Sequence, residues 1–213
     1  MRLIQRLGFL SSVGLLLLGI GYVIAVAVGV AQAGLDHPIV DPILAVMEVI
    51  TLLAAPLIVI LMVAIHGYAT EDRKPLALIA LSFGALMAGL TSVVHFVALS
   101  WGRQTGFTVF QWPSVLYAVE LLAWDVFLGL SLLFAAPVFV GPGLHSRARW
   151  SLAATGALCL VGALGPIVGD MAIQRIGIVG YGVLLPISCL ILAFVFRKNN
   201  KRDHMGESGF GSV

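Results

Sequence analysis

Ile43–Tyr68 reads ILAVMEVITLLAAPLIVILMVAIHGY, an apolar run carrying one carboxylate, Glu48, and one histidine, His66. It is long enough to cross a hydrocarbon core of roughly 30 Å as a helix. A charged group in hydrocarbon costs about 3 kcal/mol or more, so Glu48 is expected to face a bundle interior or a wet cavity. A second run of the same kind, Val115–Val140, carries Glu120 and Asp125.

Outward from these two runs the whole chain reads the same way. Six spans are expected, near Leu7–Ala31, Ile43–Tyr68, Leu76–Trp101, Val115–Val140, Ser151–Gly169 and Ile176–Phe196. Hydrophobic residues make up 60% of the chain and charged residues only 10%, where soluble domains carry about 25% charged. Barrel strands are excluded, being about ten residues long and alternating in polarity. Backbone groups in lipid must therefore be satisfied within helices, and the fold is an all-α, polytopic integral membrane bundle spanning residues 1–198. The loops are too short to hold a soluble domain. Their punctuation is Asp36-His37-Pro38 with Asp41-Pro42, Thr70 to Pro75, Gln104 to Ser114 with Gly106 and Pro113, Gly141-Pro142-Gly143, and the tight Asp170 to Arg175.

Arginine and lysine set the orientation. Arg2, Arg6, Arg73, Lys74, Arg147, Arg149, Arg197, Lys198, Lys201 and Arg202 gather on one side, with Arg103 and Arg175 on the other. The positive-inside rule then predicts a bacterial-type inner (cell) membrane protein with both termini cytoplasmic. The apolar part of the first helix is about twice the length of a signal h-region, so a signal-anchor helix is expected despite Ala31-Gln32-Ala33. Residues 199–213 read as a disordered cytoplasmic tail. Within it, Gly206-Glu207-Ser208-Gly209 spells the short serine motif of rhomboid proteases. That motif works only on a membrane helix, so the match is set aside.

Topology converts sequence position into depth. At 1.5 Å per residue, Glu48 and Glu120 lie about 8 Å below the outer surface, His95 about 9 Å, and Asp125 about 15 Å. Asp36, His37, Asp41, Arg103, Asp170 and Arg175 fall on the same side. The polar residues are thus segregated to the outer leaflet, which predicts a cavity there centred on Glu48, His95 and Glu120. Thr91, Ser92 and His95 share one helix face, and Tyr117, Glu120 and Trp124 share another. On ideal α geometry Asp125 stands about 140° from Glu120, so one faces the cavity and the other bonds to a neighbouring helix. Asp41 to Glu48 and Trp112 to Glu120 also resemble each other, a weak trace of internal duplication. In the last two helices, Gly162, Gly165 and Gly169 with Gly177, Gly180 and Gly182 allow close approach, and Pro166 and Pro186 predict kinks. Cys159 and Cys189 read as small apolar fillers.

No lysine lies within these spans, which excludes a retinal Schiff base, and the histidines in opposite leaflets cannot clamp one haem. H-E-x-x-H, Walker and aspartate-rich diphosphate motifs are absent from the sequence. The net charge of +2 reflects topology and gives no reason to invoke nucleic acid. Three functional readings follow. The first is a protein that binds or moves a small or lipidic ligand, with Glu48, Thr91, His95, Tyr117, Glu120, Trp124 and Asp125 as ligand-binding residues and the carboxylates exchanging protons. The second is an embedded acid/base enzyme on a lipid or isoprenoid, an isomerase or proton-initiated cyclase, with Glu48, Glu120, Asp125 and His95 catalytic. The third, a metal site from His37, His95 and carboxylates, has the ligand types without diagnostic spacing, so no metal or cofactor is assigned. A structural or assembly role is the plain alternative, in which these groups only bond helix to helix, and Trp101 and Trp112 form an interfacial belt. Besides the lipid bilayer and the ligand, a homo-oligomer is compatible with so compact a chain.

Overall fold

The computed structural model describes residues 2–34, 39–107 and 112–207, with residues 2 and 198–207 as backbone alone. It is all-α, with six helices long and apolar enough to cross a membrane: α1 (Leu3–Ala33), α2 (Ile43–Tyr68), α3 (Lys74–Thr105), α4 (Val115–Val138), α5 (Leu144–Val168) and α6 (Met171–Arg197). The protein is a multi-pass membrane protein. Each helix packs against its neighbour in sequence, and α6 returns to α1, closing a ring. Short connections make successive helices antiparallel, so the entrances of α2, α4 and α6 share an end with the exits of α1, α3 and α5.

Local chemistry explains the helix boundaries. The Ser114 hydroxyl caps α4 by accepting from the Tyr117 amide at 3.1 Å, and Asp170 caps α6 by accepting from the Ala172 amide at 2.8 Å. That cap starts α6 earlier than the expected Ile176 and turns Gln174 from a loop residue into a helical one. Gly169, at φ +76°, ends α5 in the left-handed conformation that favours glycine. α5 starts at Leu144 rather than Ser151, directly after Gly143, so Arg147 and Arg149 occupy its first turns. The backbone of α6 continues as helix through Glu207. Residues 208–213 of the expected tail, and Asp36, His37 and Pro38 of the first loop, lie outside the described residues.

Winding is uneven. π-helical turns occupy Ala98–Gly102 in α3, Leu122–Leu128 in α4 and Val179–Leu184 in α6. Pro186 follows the last of these, and Pro166 follows a break at Ala163 in α5. These are the two prolines expected to disturb their helices, by loss of a donor and a clash one turn back. Several hydroxyls in the spans are met by their own helix, as where Ser11 donates to the Leu7 carbonyl and Thr51 to the Met47 carbonyl.

The core is aliphatic and continuous, running through Ile58, Leu61, Met62, Ile65, Met87, Leu128, Leu132, Leu152 and Leu192. Glycines bring helices together where side chains would not fit. A Cβ on Gly156 would run into the Gly129 carbonyl of α4, and one on Gly162 into the Gly177 backbone of α6. Cys159 and Cys189 are free and buried. Phe96, Val115, Trp150 and Ile167 are among many large apolar side chains left facing outward, as a lipid-solvated surface requires.

Candidate functional site

Glu120 on α4 is the hub. Its Oε1 accepts from the Thr91 hydroxyl at 2.7 Å and bonds His95 Nε2 at 2.9 Å, both on α3. Thr91 in turn accepts from the Trp124 indole N–H at 3.0 Å. Because Thr91 and His95 are one turn apart, and Glu120 and Trp124 are one turn apart, two adjacent helices present matched pairs. All but Trp124 are buried, Glu120 at 7% exposure and Thr91 at none. The other oxygen of Glu120, Oε2, is buried with no hydrogen-bond partner among the described residues.

Glu48 lies on α2, 4% exposed, with its Oε2 also buried and unpartnered. His95, Arg103 and Asp41 are within electrostatic range of it. His95 therefore stands between two carboxylates, bonded to one and near the other. Above Glu48, Asp41 and Arg103 form an ion pair joining the entrance of α2 to the exit of α3. Asp41 also accepts from the Ala45 amide at 3.2 Å, fixing it to the first turn of α2.

Asp125 occupies a second position. It is fully buried within the π-helical turn of α4, and its Oδ2 accepts from the Gln174 amide on α6 at 3.3 Å. The same amide reaches the Tyr181 hydroxyl at 3.2 Å. The Asp125 Oδ1 has no hydrogen-bond partner and points at Gly177, where any Cβ would collide with it. Trp124 connects the two positions, since its ring packs on Tyr181 at 5.3 Å between centroids.

Each expected site residue is therefore near this centre. Tyr117 meets Trp112 edge-on at 6.2 Å and is within electrostatic range of Glu120 and Asp125. The choice between Glu120 and Asp125 has an answer not foreseen: each bonds a different neighbour, Glu120 to α3 and Asp125 to α6. Both are buried because π winding returns residues five apart toward one face, where α winding would separate them. Sequence reading missed Gln174, Tyr181 and Tyr22, the last of which lies on α1 within range of Glu120 and Tyr117. An aspartate cap at Asp170 was the available signal for Gln174. Trp101 is half exposed, as a belt residue would be, with its ring tilted against Phe107 at 5.2 Å between centroids.

Among the described residues, no group of three or more His, Cys, Asp and Glu side chains is arranged to hold a metal ion; His37 lies outside them. At the opposite end of the bundle, a cleft of about 270 Å³ is lined by Tyr68, Thr70, Asp72, Arg73, Val138, Val140 and His145. There Tyr68 and His145 share a hydrogen bond of 2.7 Å linking α2 to α5. No family model, no curated protein and no solved structure matches the chain.

Proposed function

We propose that the protein binds, and moves across the membrane, a small or lipidic ligand in exchange for protons at the centre formed by Glu48, His95 and Glu120. The observation that carries this reading is the buried His95–Glu120 bond with carboxylate oxygens left unpartnered on either side. A merely structural carboxylate has its lone pairs met, because an unmet buried acceptor costs about 1–3 kcal/mol. Two such oxygens beside one imidazole suit a site that loads and empties. The basic residues at the other end of the bundle support an orientation with both termini cytoplasmic and the centre toward the outside. On that orientation the Tyr68–His145 cleft lies on the cytoplasmic side, which favours movement over binding alone.

Native mass spectrometry of the gently purified protein tests this, comparing wild type with Glu48→Gln and Glu120→Gln. A molecule retained by wild type and lost from either variant is the expected result. Wild type that carries nothing, with both variants folded and identical to it, would return these carboxylates to helix packing.

An acid/base enzyme is the second reading, and the His95–Glu120 pair at 2.9 Å favours it, being within proton-transfer distance. Tyr117 and Trp124 would flank a carbocation. Recovery of two isomers of one bound lipid, in a ratio altered by His95→Gln, would select this reading over transport.

A further inference from the structure

We infer that the ligand of this centre is an organic cation, an ammonium carrying N–H groups on an apolar body; the inference rests on the binding reading above and names its chemical class.

Charge is the first ground. The described groups around the centre are the carboxylates Asp41, Glu48, Glu120 and Asp125, the guanidinium of Arg103 and the imidazole of His95. Arg103 is held by Asp41, and His95 by Glu120. Among the described residues, Glu48 and Asp125 are left without a bonded cation. A buried carboxylate is compensated by a proton or by a cation, and an anionic ligand would add to the deficit.

Hydrogen bonding is the second, independent ground. Among the described residues, the unmet carboxylate atoms of the centre are Oε2 of Glu48 and Oε2 of Glu120, both acceptors when ionised and on side chains more than nine-tenths buried. Acceptors without donors call for a ligand that donates, and an ammonium does so with charge. Aromatic rings from two helices, Tyr22 on α1 and Tyr117 on α4, stand within range of Glu120. Their faces attract a cation, and their edges suit its apolar body. When an ammonium enters, it takes over the compensation of the carboxylate, and the displaced proton leaves to water, so charge is conserved.

The same residues assign a role to Arg103. Its half-exposed guanidinium is paired with Asp41 and in range of Glu48, so it opposes the approach of another cation. Removing that charge strengthens binding of a cation and leaves a neutral molecule unaffected. A misfolded variant cannot mimic a gain.

The test uses full-length protein in lipid nanodiscs and three probes of one shape: phenethylammonium, phenethyl alcohol and 3-phenylpropionate. Calorimetry reads binding, and a pH indicator in weak buffer reads protons released. Phenethylammonium alone should bind, releasing protons, and Glu48→Gln or Glu120→Gln should weaken it roughly tenfold or more, as removal of one partner of a buried charge pair does. Arg103→Gln should tighten it roughly threefold, the effect of one half-exposed charge nearby. Equal or tighter binding of the alcohol or the propionate would overturn the cation class and leave the binding reading intact. Absence of binding by all three would also overturn it, while the mass spectrum of the purified protein decides the binding reading separately. Arg103→Gln that weakens phenethylammonium would overturn the role given to Arg103.

Discussion

Replacing Glu120 in two ways separates its packing role from its chemistry. Glutamine keeps a polar group where Thr91 donates and His95 bonds, whereas alanine leaves both groups in a dry interior without their partner. Glu120→Ala is expected to cost about 1–3 kcal/mol of stability and Glu120→Gln under about 1. Unfolding in mixed micelles with increasing denaturing detergent measures the difference, and equal losses would mean that the hydrogen bonds contribute nothing. Outside the membrane, the Thr70 hydroxyl and then the Arg73 guanidinium hold the Asp72 carboxyl below the usual carboxylate range. A carboxyl depressed in the folded state adds stability above its unfolded value, near 4, and loses it as pH falls through the lower folded value. Melting curves from pH 5 to pH 3 should therefore fall less steeply for Asp72→Asn than for wild type. The effect is small, because Asp72 is exposed. At this scale the sequence showed where charge is out of place, in Glu48, His95, Glu120 and Asp125. It did not show Gln174 or Tyr22, since an amide in an apparent loop and a tyrosine in an apolar helix are both unremarkable until a neighbouring helix is placed against them.

The elements were legible to within a turn at most boundaries, because apolar length and Pro or Gly punctuation are written locally. Winding within an element was not. The π turn at Leu122–Leu128 has no proline near it, and it changes which residues of α4 face inward. A π turn is an α-helix holding one extra residue, so deletion of the half-exposed Leu122 should restore regular winding. With Leu122 removed, Glu120 and Asp125 stand four residues apart, about 40° round an α-helix, so both keep the neighbours that π winding gives them. Retention of the co-purifying molecule should then survive; its loss from a protein that still inserts would mean that the wide turn itself forms part of the site. The α6 contact yields a sharper test. A Cβ on Gly177 meets two atoms of the Asp125 side chain before it meets the Gly162 backbone. Gly177→Ala is expected to destabilise by about 1–3 kcal/mol, as overpacking does. Asp125→Ala in the same chain should recover part of that loss, and strict additivity of the two changes would show that they do not touch.

For the whole molecule, six apolar helices in a closed ring follow from composition and loop length, but a helix bundle is nearly symmetric with respect to which end faces out. The direction comes from charge alone. Arg73, Lys74, Arg147, Arg149 and Arg197 lie at one end, and Arg103 and Arg175 at the other. Retaining that many arginines and lysines on one side is the strongest determinant of orientation, and at the end with the carboxylate centre only Arg103 and Arg175 need be translocated. Thiol labelling in intact cells reads the direction. In a background with Cys159 and Cys189 replaced by Ala, Gln104→Cys marks the end with the centre and Glu71→Cys the basic end, both at exposed positions. A membrane-impermeant maleimide should modify Gln104→Cys in intact cells, and Glu71→Cys only after permeabilisation. The reverse pattern would place Glu48, His95 and Glu120 on the cytoplasmic side and overturn the orientation read from the charges. Labelling of both positions in intact cells would indicate two orientations in one membrane and overturn a single direction read from charge.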